Sequence, residues 1–399
     1  MLKRIVAIVI CAVLAVPAAA GCGRAGSASS AAGSEASSDA VSASAEEAQA
    51  ADPADNMRVA MISDFGGIAD RSFNQTTYEA GKLYCAANGI GFTSYEPEED
   101  TDEAREAMIE KAVAEGSNVL LVPGNAFADC IYNAAPEHKD VKFIAIDVSE
   151  ADLTKDGTRE FTSDNVFSAV YKEEIAGYMA GVAAVRLGCT RLGFLGGKSV
   201  PAVRRFGLGF VQGIDDAASE LGLEDVEVKY LYGGAFEGSS ELTGIMKEWY
   251  AGGTEVVFAC GGSIYTSAAE AASEYDGKVI GVDVDQSYII DAEYGEGLTL
   301  TSAMKGIAAT VITLLDAIYR DEWDKYAGRT DVLGVVSDDP EMNYVQLPST
   351  TQWNDDFTWD DYAELVAALN SGAVTVSDDT TAAPSGSAVT VDYQGDMTG

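Results

Sequence analysis

MRVAMISDFGGIADRSFNQTTYEAGKLYCAAN, residues 57–88, carries the pattern on which the fold turns. Its opening, MRVAMI (57–62), is a short apolar run that ends at Ser63 and Asp64, and residues 72–88 follow with helical patterning. The unit is therefore strand, loop, helix. The same alternation returns along the chain. Strands are expected at 91–95, 118–123, 142–147, 191–196, 226–232, 255–260, 278–283 and 298–302. Helices are expected at 102–115, 168–187, 206–221, 239–251, 264–275 and 303–320. Runs such as NVLLVP (118–123) and EVVFAC (255–260) are almost continuously apolar, as strands covered on both faces must be. Strand–helix alternation over this length specifies a parallel α/β architecture.

Open α/β sheets bind ligands beyond the carboxyl ends of their strands. The residues at those ends are polar or glycine-rich: Ser63-Asp64, GNAFAD (124–129), GKSVPAVRRF (197–206), GGSIYT (261–266) and Asp283. At the first of these ends Gly66 and Gly67 allow a tight turn and a close approach of backbone to ligand. Ser72-x-x-Gln75 fits a capping box, which puts Phe73 and Asn74 in the first helical turn near the strand end. No strand is followed by a phosphate-binding loop. Gly207-x-Gly209 with Gly213 has the wrong spacing for a dinucleotide fingerprint and sits inside a helical pattern.

Composition bounds the rest. The chain has 399 residues, 47% hydrophobic and 22% charged, enough for two or three lobes. Lys3 and Arg4 precede an apolar run and small residues, so 1–21 reads as a secretory signal rather than a spanning helix. The small residues before Cys22 resemble a bacterial lipobox, with Ala19 where Leu is usual; they imply cleavage after Gly21 and lipidation of Cys22. Plain secretion after Ala18-Ala19-Ala20 is the alternative. Residues 22–55 are rich in Ala, Ser, Gly and acids and read as a disordered tether between lipid and domain, and 376–399 reads as a disordered tail. A formal net charge of −39 repels polyanions, which excludes nucleic acid as a partner. Cys85, Cys130, Cys189 and Cys260 form no C-x-x-C pair; two disulfides or four buried thiols fit equally. The one histidine, His138, supports neither a His-based triad nor a His metal cluster, and no metal or cofactor is expected.

The motifs also carry a family resemblance. SDFGGIADRSFNQ (63–75) resembles the signature opening of the basic membrane protein family, lipid-anchored substrate-binding proteins of ABC transporters that include purine nucleoside receptors. NVFSAVYKEEIAGYMAGVAA (165–184), GFLGGKSVPAVRRFGLGFVQG (193–213), GVDVDQ (281–286) and TSAMKG (301–306) are similar to further family motifs and fall in the same order. The resemblance implies a type I periplasmic-binding-protein fold: two lobes, each a parallel sheet flanked by helices, with the ligand in the cleft between. It implies one lobe at 56–163 plus 286–330 and the other at 164–285 plus 331–372.

By the same resemblance, Phe73 and Phe206 sandwich a purine, Asn74 hydrogen-bonds the base edge, Asp64 and Asp283 bind ribose hydroxyls and Lys305 sits at the sugar. Asp129, in GNAFAD, is the candidate for a further base contact, although Asn125 stands where the family usually has an aromatic. The implied ligand is adenosine, guanosine or inosine. The implied partner is an ABC permease, with the chain held at the extracytoplasmic face of the cell membrane. Two readings compete: a sugar or another small polar ligand in the same fold, and a nucleoside hydrolase. The second needs a dense carboxylate cluster around a metal, whereas the acids here are isolated on different loops.

Overall fold

The computed structural model describes residues 56–397 except residue 65, so the expected signal peptide, Cys22 and the tether lie outside the described residues. In chain order, β1 (Arg58–Ile62) leads to α1 (Phe73–Asn88), β2 (Gly91–Tyr95), α2 (Asp102–Ala114), β3 (Val119–Pro123), α3 (Ala128–Glu137), β4 (Lys142–Ile146), α4 (Glu150–Thr154) and β5 (Val166–Tyr171). The chain continues through α5 (Glu173–Arg186), β6 (Arg191–Gly196), α6 (Pro201–Leu221), β7 (Val226–Tyr232), α7 (Ser240–Ala251), β8 (Val256–Cys260), α8 (Tyr265–Tyr275), β9 (Lys278–Asp283), α9 (Ser287–Tyr294) and β10 (Thr299–Lys305). It ends with α10 (Ile307–Tyr319), β11 (Arg329–Leu333), β12 (Val345–Gln346), α11 (Trp359–Ser371) and β13 (Val389–Asp396).

Two sheets result, ordered β11-β5-β4-β3-β1-β2 and β12-β10-β9-β8-β6-β7-β13. The pairings are parallel except β10 with β12. Each sheet contains the same five-strand unit, β2-β1-β3-β4-β5 in one lobe and β7-β6-β8-β9-β10 in the other. Equivalent strand ends therefore face the cleft from both sides. Every residue of β3, β5 and β8 is buried, which accounts for the uninterrupted apolar sequences of β3 and β8; β5 is broken only by Ser168.

The glycines that failed as a nucleotide fingerprint have a packing role. A Cβ at Gly209 would lie 1.9 Å from the Glu174 carbonyl oxygen, and one at Gly213 2.1 Å from that of Tyr178. In the other direction, a Cβ at Gly177 would meet the Phe206 carbonyl oxygen at 2.1 Å, and one at Gly181 that of Phe210 at 2.3 Å. Helices α5 and α6 thus touch backbone to backbone, glycine stripe against glycine stripe. This contact fixes Phe206 and Arg205 at the start of α6 relative to Glu173 at the start of α5.

The chain crosses between lobes at three places that are hydrogen-bonded together: Lys172 N–H donates to Leu333 O (2.9 Å), Tyr344 N–H to Gly334 O (3.1 Å) and Gly306 N–H to Tyr344 O (2.7 Å). A hinge of crossing segments is the structural basis of lobe closure.

The lobe limits differ from those expected. Strand β5 belongs to the first sheet although 164–285 was assigned to the second lobe, and β10 belongs to the second although 286–330 was assigned to the first. Strand β5 was hidden because Val166–Tyr171 runs straight into α5, so the whole stretch reads as one helix from 168. The expected disordered tail contains β13, which extends the second sheet beside β7. Asp215 on α6 holds its start: Oδ1 accepts from the N–H groups of Ala388 (2.5 Å) and Val389 (3.2 Å). Cys85, Cys130, Cys189 and Cys260 are all buried free thiols.

Candidate functional site

The loop after β1 is organised by an acid whose part the sequence did not reveal. Asp70 Oδ1 accepts from the N–H groups of Ser72 (2.9 Å) and Gln75 (3.0 Å), and Oδ2 from that of Asn74 (2.9 Å). Asp70 therefore caps α1, and Ser72 makes no side-chain cap. The expected Ser72–Gln75 capping box is absent because a better acceptor occupies the helix start. Burial pushes the Asp70 carboxyl above its usual range, against these three donors. The freed Ser72 hydroxyl reaches across the cleft and donates to Asp283 Oδ2 at 2.6 Å.

Asn74, only 3% exposed, donates from Nδ2 to Asp64 Oδ1 at 2.8 Å. Among the described residues its Oδ1 has no hydrogen-bond partner. Asp64 packs against Gly124, where a Cβ would lie 2.1 Å from Asp64 Oδ2; with φ at +109° as well, that position admits only glycine.

From the second lobe, Lys305 at the end of β10 projects into a cluster of acids. Its Nζ lies 2.5 Å from Asp147 Oδ2, 3.4 Å from Glu173 Oε1 and 3.5 Å from Asp283 Oδ1. Arg205 Nε closes the network on Glu173 Oε2 at 2.6 Å. Burial opposes the charge on Lys305, but Asp147, Asp283 and Glu173 more than offset it and hold the ammonium well above its usual range. Glu173, buried too, is kept below the usual carboxylate range by Arg205 and Lys305. Burial pushes Asp147 up to about 7 despite its contact with Lys305. The Lys305 ammonium also stands over three rings, 5.0 Å from the Phe73 centroid, 5.4 Å from that of Phe206 and 5.6 Å from that of Tyr171.

These groups line one cavity, with about 630 Å³ of empty space including the part open to solvent. It brings together Asp64, Phe73, Asn74, Phe206, Asp283 and Lys305 from the sequence reading. Asp129 is the exception. It does not line the cavity. It lies on α3 and pairs with Lys155 at 2.9 Å and Arg159 at 2.7 Å. The chain after Gly124 makes a 3-10 turn at Asn125–Phe127, which brings Asn125 to the cavity and carries Asp129 away to these two cations.

The sequence reading missed Asp70, Asp147 and Phe236, which also line the cavity. Asp147 was legible in principle, since KFIAID (142–147) repeats the pattern of KVIGVD (278–283) at the equivalent strand end. Phe236 carried no signal. Its position depends on Gly197 and Gly261, where a Cβ would lie 2.5 Å from its ring. Among the described lining residues four are carboxylates, Asp64, Asp70, Asp147 and Asp283, and Lys305 is the cation. The cavity therefore disfavours anionic occupants.

Comparison with known proteins matches residues 57–352 to the Bmp family model, described as ABC transporter substrate-binding protein PnrA-like. The chain is 27% identical over 278 residues to the ABC transporter nucleoside-binding protein BmpA of Lactococcus lactis subsp. cremoris, covering 65% of this chain and 74% of that one. It is 28% identical over 268 residues to the CD4+ T-cell-stimulating antigen of Listeria monocytogenes, covering 63% and 71%. It is 23% identical over 277 residues to a lipoprotein of Pyrococcus furiosus, covering 67% and 66%. Among solved structures, an ABC transporter solute-binding protein from Aeropyrum pernix K1 aligns with a TM-score of 0.62 at 18% identity, over 81% of this chain and 88% of that one. One from Conexibacter woesei aligns at 0.61 and 22%, over 81% and 99%. These two likenesses establish the fold: two α/β lobes of the type I periplasmic-binding-protein kind.

Proposed function

The chain belongs to the PnrA-like family of ABC transporter substrate-binding proteins, and from that membership and its cleft we propose that it captures a purine nucleoside between its lobes and delivers it to a permease. The carrying observation is the pair Phe73 and Phe206, one aromatic ring from each lobe, on a cavity that also presents Asp64, Asn74, Asp283 and Lys305. A flat base stacks between such rings, at about 1–3 kcal/mol per base. The unpartnered Asn74 Oδ1 accepts from a base N–H, while Asp64 and Asp283 accept from ribose hydroxyls. Hydrogen bonds to charged acceptors contribute about 1.5–3 kcal/mol each. A nucleotide fits less well, because its phosphate meets four carboxylates. Lobe closure around the ligand requires no bond chemistry, and the role proposed is that of a receptor rather than an enzyme. Lipidation at Cys22 and an extracytoplasmic, membrane-anchored location complete the reading; lipoproteins are among the relatives.

Titration calorimetry on chain stripped of bound ligand by unfolding and refolding tests this directly, with adenosine, guanosine, inosine, cytidine and ribose as probes. Micromolar binding or tighter, about −8 kcal/mol or better, is expected for at least one purine nucleoside. A 2′,3′-dideoxy analogue loses most of that affinity, since buried acceptors are left unpaired. No nucleoside binding by folded protein refutes the proposal and favours a different small polar ligand. Release of free base would instead revive the hydrolase alternative.

A further inference from the structure

Asp100 and Lys198 join the two lobes at a point outside the cavity. Asp100 lies in the loop between β2 and α2, and Lys198 in the loop between β6 and α6, so they follow strands of different sheets. Lys198 Nζ lies 2.6 Å from Asp100 Oδ2. Asp100 Oδ1 is held from its own lobe by Arg105 Nη1 at 2.8 Å, and Arg105, with a side chain 5% exposed, is held in turn by Asp102 at 2.9 Å. The carboxylate is thus fixed in the first lobe by one oxygen and meets the second lobe with the other. Partial burial works against its charge, but the hydrogen bonds from Lys198 and Arg105 prevail and keep Asp100 below the usual carboxylate range. Neither Lys198 nor Asp100 lines the cavity, yet both loops adjoin it. Val200, two residues after Lys198, is a lining residue. So is Gly66, and Ile68 beyond it donates its N–H to Glu96, in the same loop as Asp100, at 3.3 Å.

Another crossing runs from Ser72 Oγ to Asp283 Oδ2 at 2.6 Å and from Gln286 Nε2 to the Arg71 carbonyl at 3.1 Å. That crossing includes Asp283, a cavity residue, so an occupant can alter it. The Lys198–Asp100 pair shares no group with the cavity. An ion pair between lobes exists only while they are closed, so it favours the closed state and contributes nothing to the open one. Arg105 keeps Asp100 in place in either state, which leaves little to be ordered at closure. We propose that Lys198 and Asp100 form a latch outside the binding cavity that holds the lobes closed and slows release of the ligand. Both are positioning residues, and neither touches the occupant. The nucleoside reading above supplies the probe for the test, and a measurement on the chain alone keeps the two separable.

The test is the dissociation rate of adenosine and guanosine, by stopped flow, from wild type, Lys198→Met, Asp100→Asn, the double variant and Lys198→Arg. Asparagine keeps an oxygen for Arg105, and thermal melting shows whether each variant is folded; should Asp100→Asn fail to fold, Lys198→Met and Lys198→Arg carry the test. Each charge-removing substitution is expected to speed release about two- to fivefold, the effect of a partly exposed pair, with the association rate little changed. The double variant releases no faster than either single one, because each removes the same contact. Lys198→Arg, which keeps the charge, stays close to wild type. Raising salt from about 20 mM to about 500 mM speeds release from wild type more than from Lys198→Met. Unchanged rates, or effects that simply multiply in the double variant, overturn the latch. Should wild type bind neither nucleoside, the nucleoside reading fails by itself, and the latch is judged by small-angle X-ray scattering of the chain alone. A larger radius of gyration for Lys198→Met than for wild type then supports it, and equal radii overturn it.

Discussion

Replacing Lys305 by Met tests whether the cleft is held by the acid cluster around one ammonium. Methionine keeps an unbranched stem of similar length, so packing against Phe73, Tyr171 and Phe206 is largely retained while the charge is lost. Asp147 and Asp283 then stand as buried acids without their shared cation, whereas Glu173 keeps Arg205 at 2.6 Å. Breaking a buried ion pair by removing one partner costs about 3–5 kcal/mol. The loss depends on pH in a defined direction. Asp147 has a folded-state pKa raised from 3.8 to about 7, so its favourable contribution is complete below the unfolded value and is lost as pH rises through the folded one. Without Lys305, whose charge lowers that pKa, the folded value climbs further and the loss extends to higher pH. Urea unfolding of wild type and variant at pH 5.5, 7.0 and 8.5, followed by far-ultraviolet circular dichroism, reads the difference. The gap is expected to be smallest at pH 5.5 and to reach about 3 kcal/mol or more at pH 8.5. A gap that stays constant with pH, or one below about 1 kcal/mol at pH 8.5, refutes the assignment of Lys305 as the counter-ion of buried carboxylates.

Gly209→Val forces a side chain into the Glu174 carbonyl, 1.9 Å from the added Cβ, and is expected to lower stability by about 3 kcal/mol or more, read from the urea midpoint. A fully stable variant would mean that α5 and α6 part without cost. Asp129→Asn is expected to leave nucleoside affinity within twofold of wild type, because the residue serves a partly exposed ion pair away from the cavity; its stability should change by less than about 1 kcal/mol. Loss of affinity in calorimetry would return Asp129 to the site. Asp215→Ala removes the acceptor that fixes the start of β13, and limited proteolysis should then cut residues 376–396 faster than in wild type. Equal cleavage rates would show that β13 is retained by its pairing with β7 alone.

Much of this protein is determined by sequence patterns that act locally. A strand buried on both faces has to be apolar throughout, so β3 and β8 announce themselves, and their alternation with helices specifies parallel sheets before any contact is known. The residues at the strand ends are equally legible, because polar groups and glycines there interrupt otherwise apolar runs. Asp64, Phe73, Asn74, Phe206, Asp283 and Lys305 were found on that basis together with family resemblance, and they meet in one cavity.

What tertiary structure alone decided are choices among partners distant in the chain. Ser72 has the sequence of a helix cap, yet Asp70 takes the helix start and the Ser72 hydroxyl bonds to an acid 211 residues away. Asp129 lies in a promising motif, yet one 3-10 turn carries it to Lys155 and Arg159. Asp147 gains its importance from Lys305, 158 residues on and in the other sheet. The low-complexity tail looks unfit to order, yet β7 offers an open edge and Asp215 two acceptor contacts. The physical reason is the same in each case. A polar group satisfies its hydrogen bonds with whichever donor or acceptor the fold brings within about 3 Å, and sequence spacing does not encode that distance.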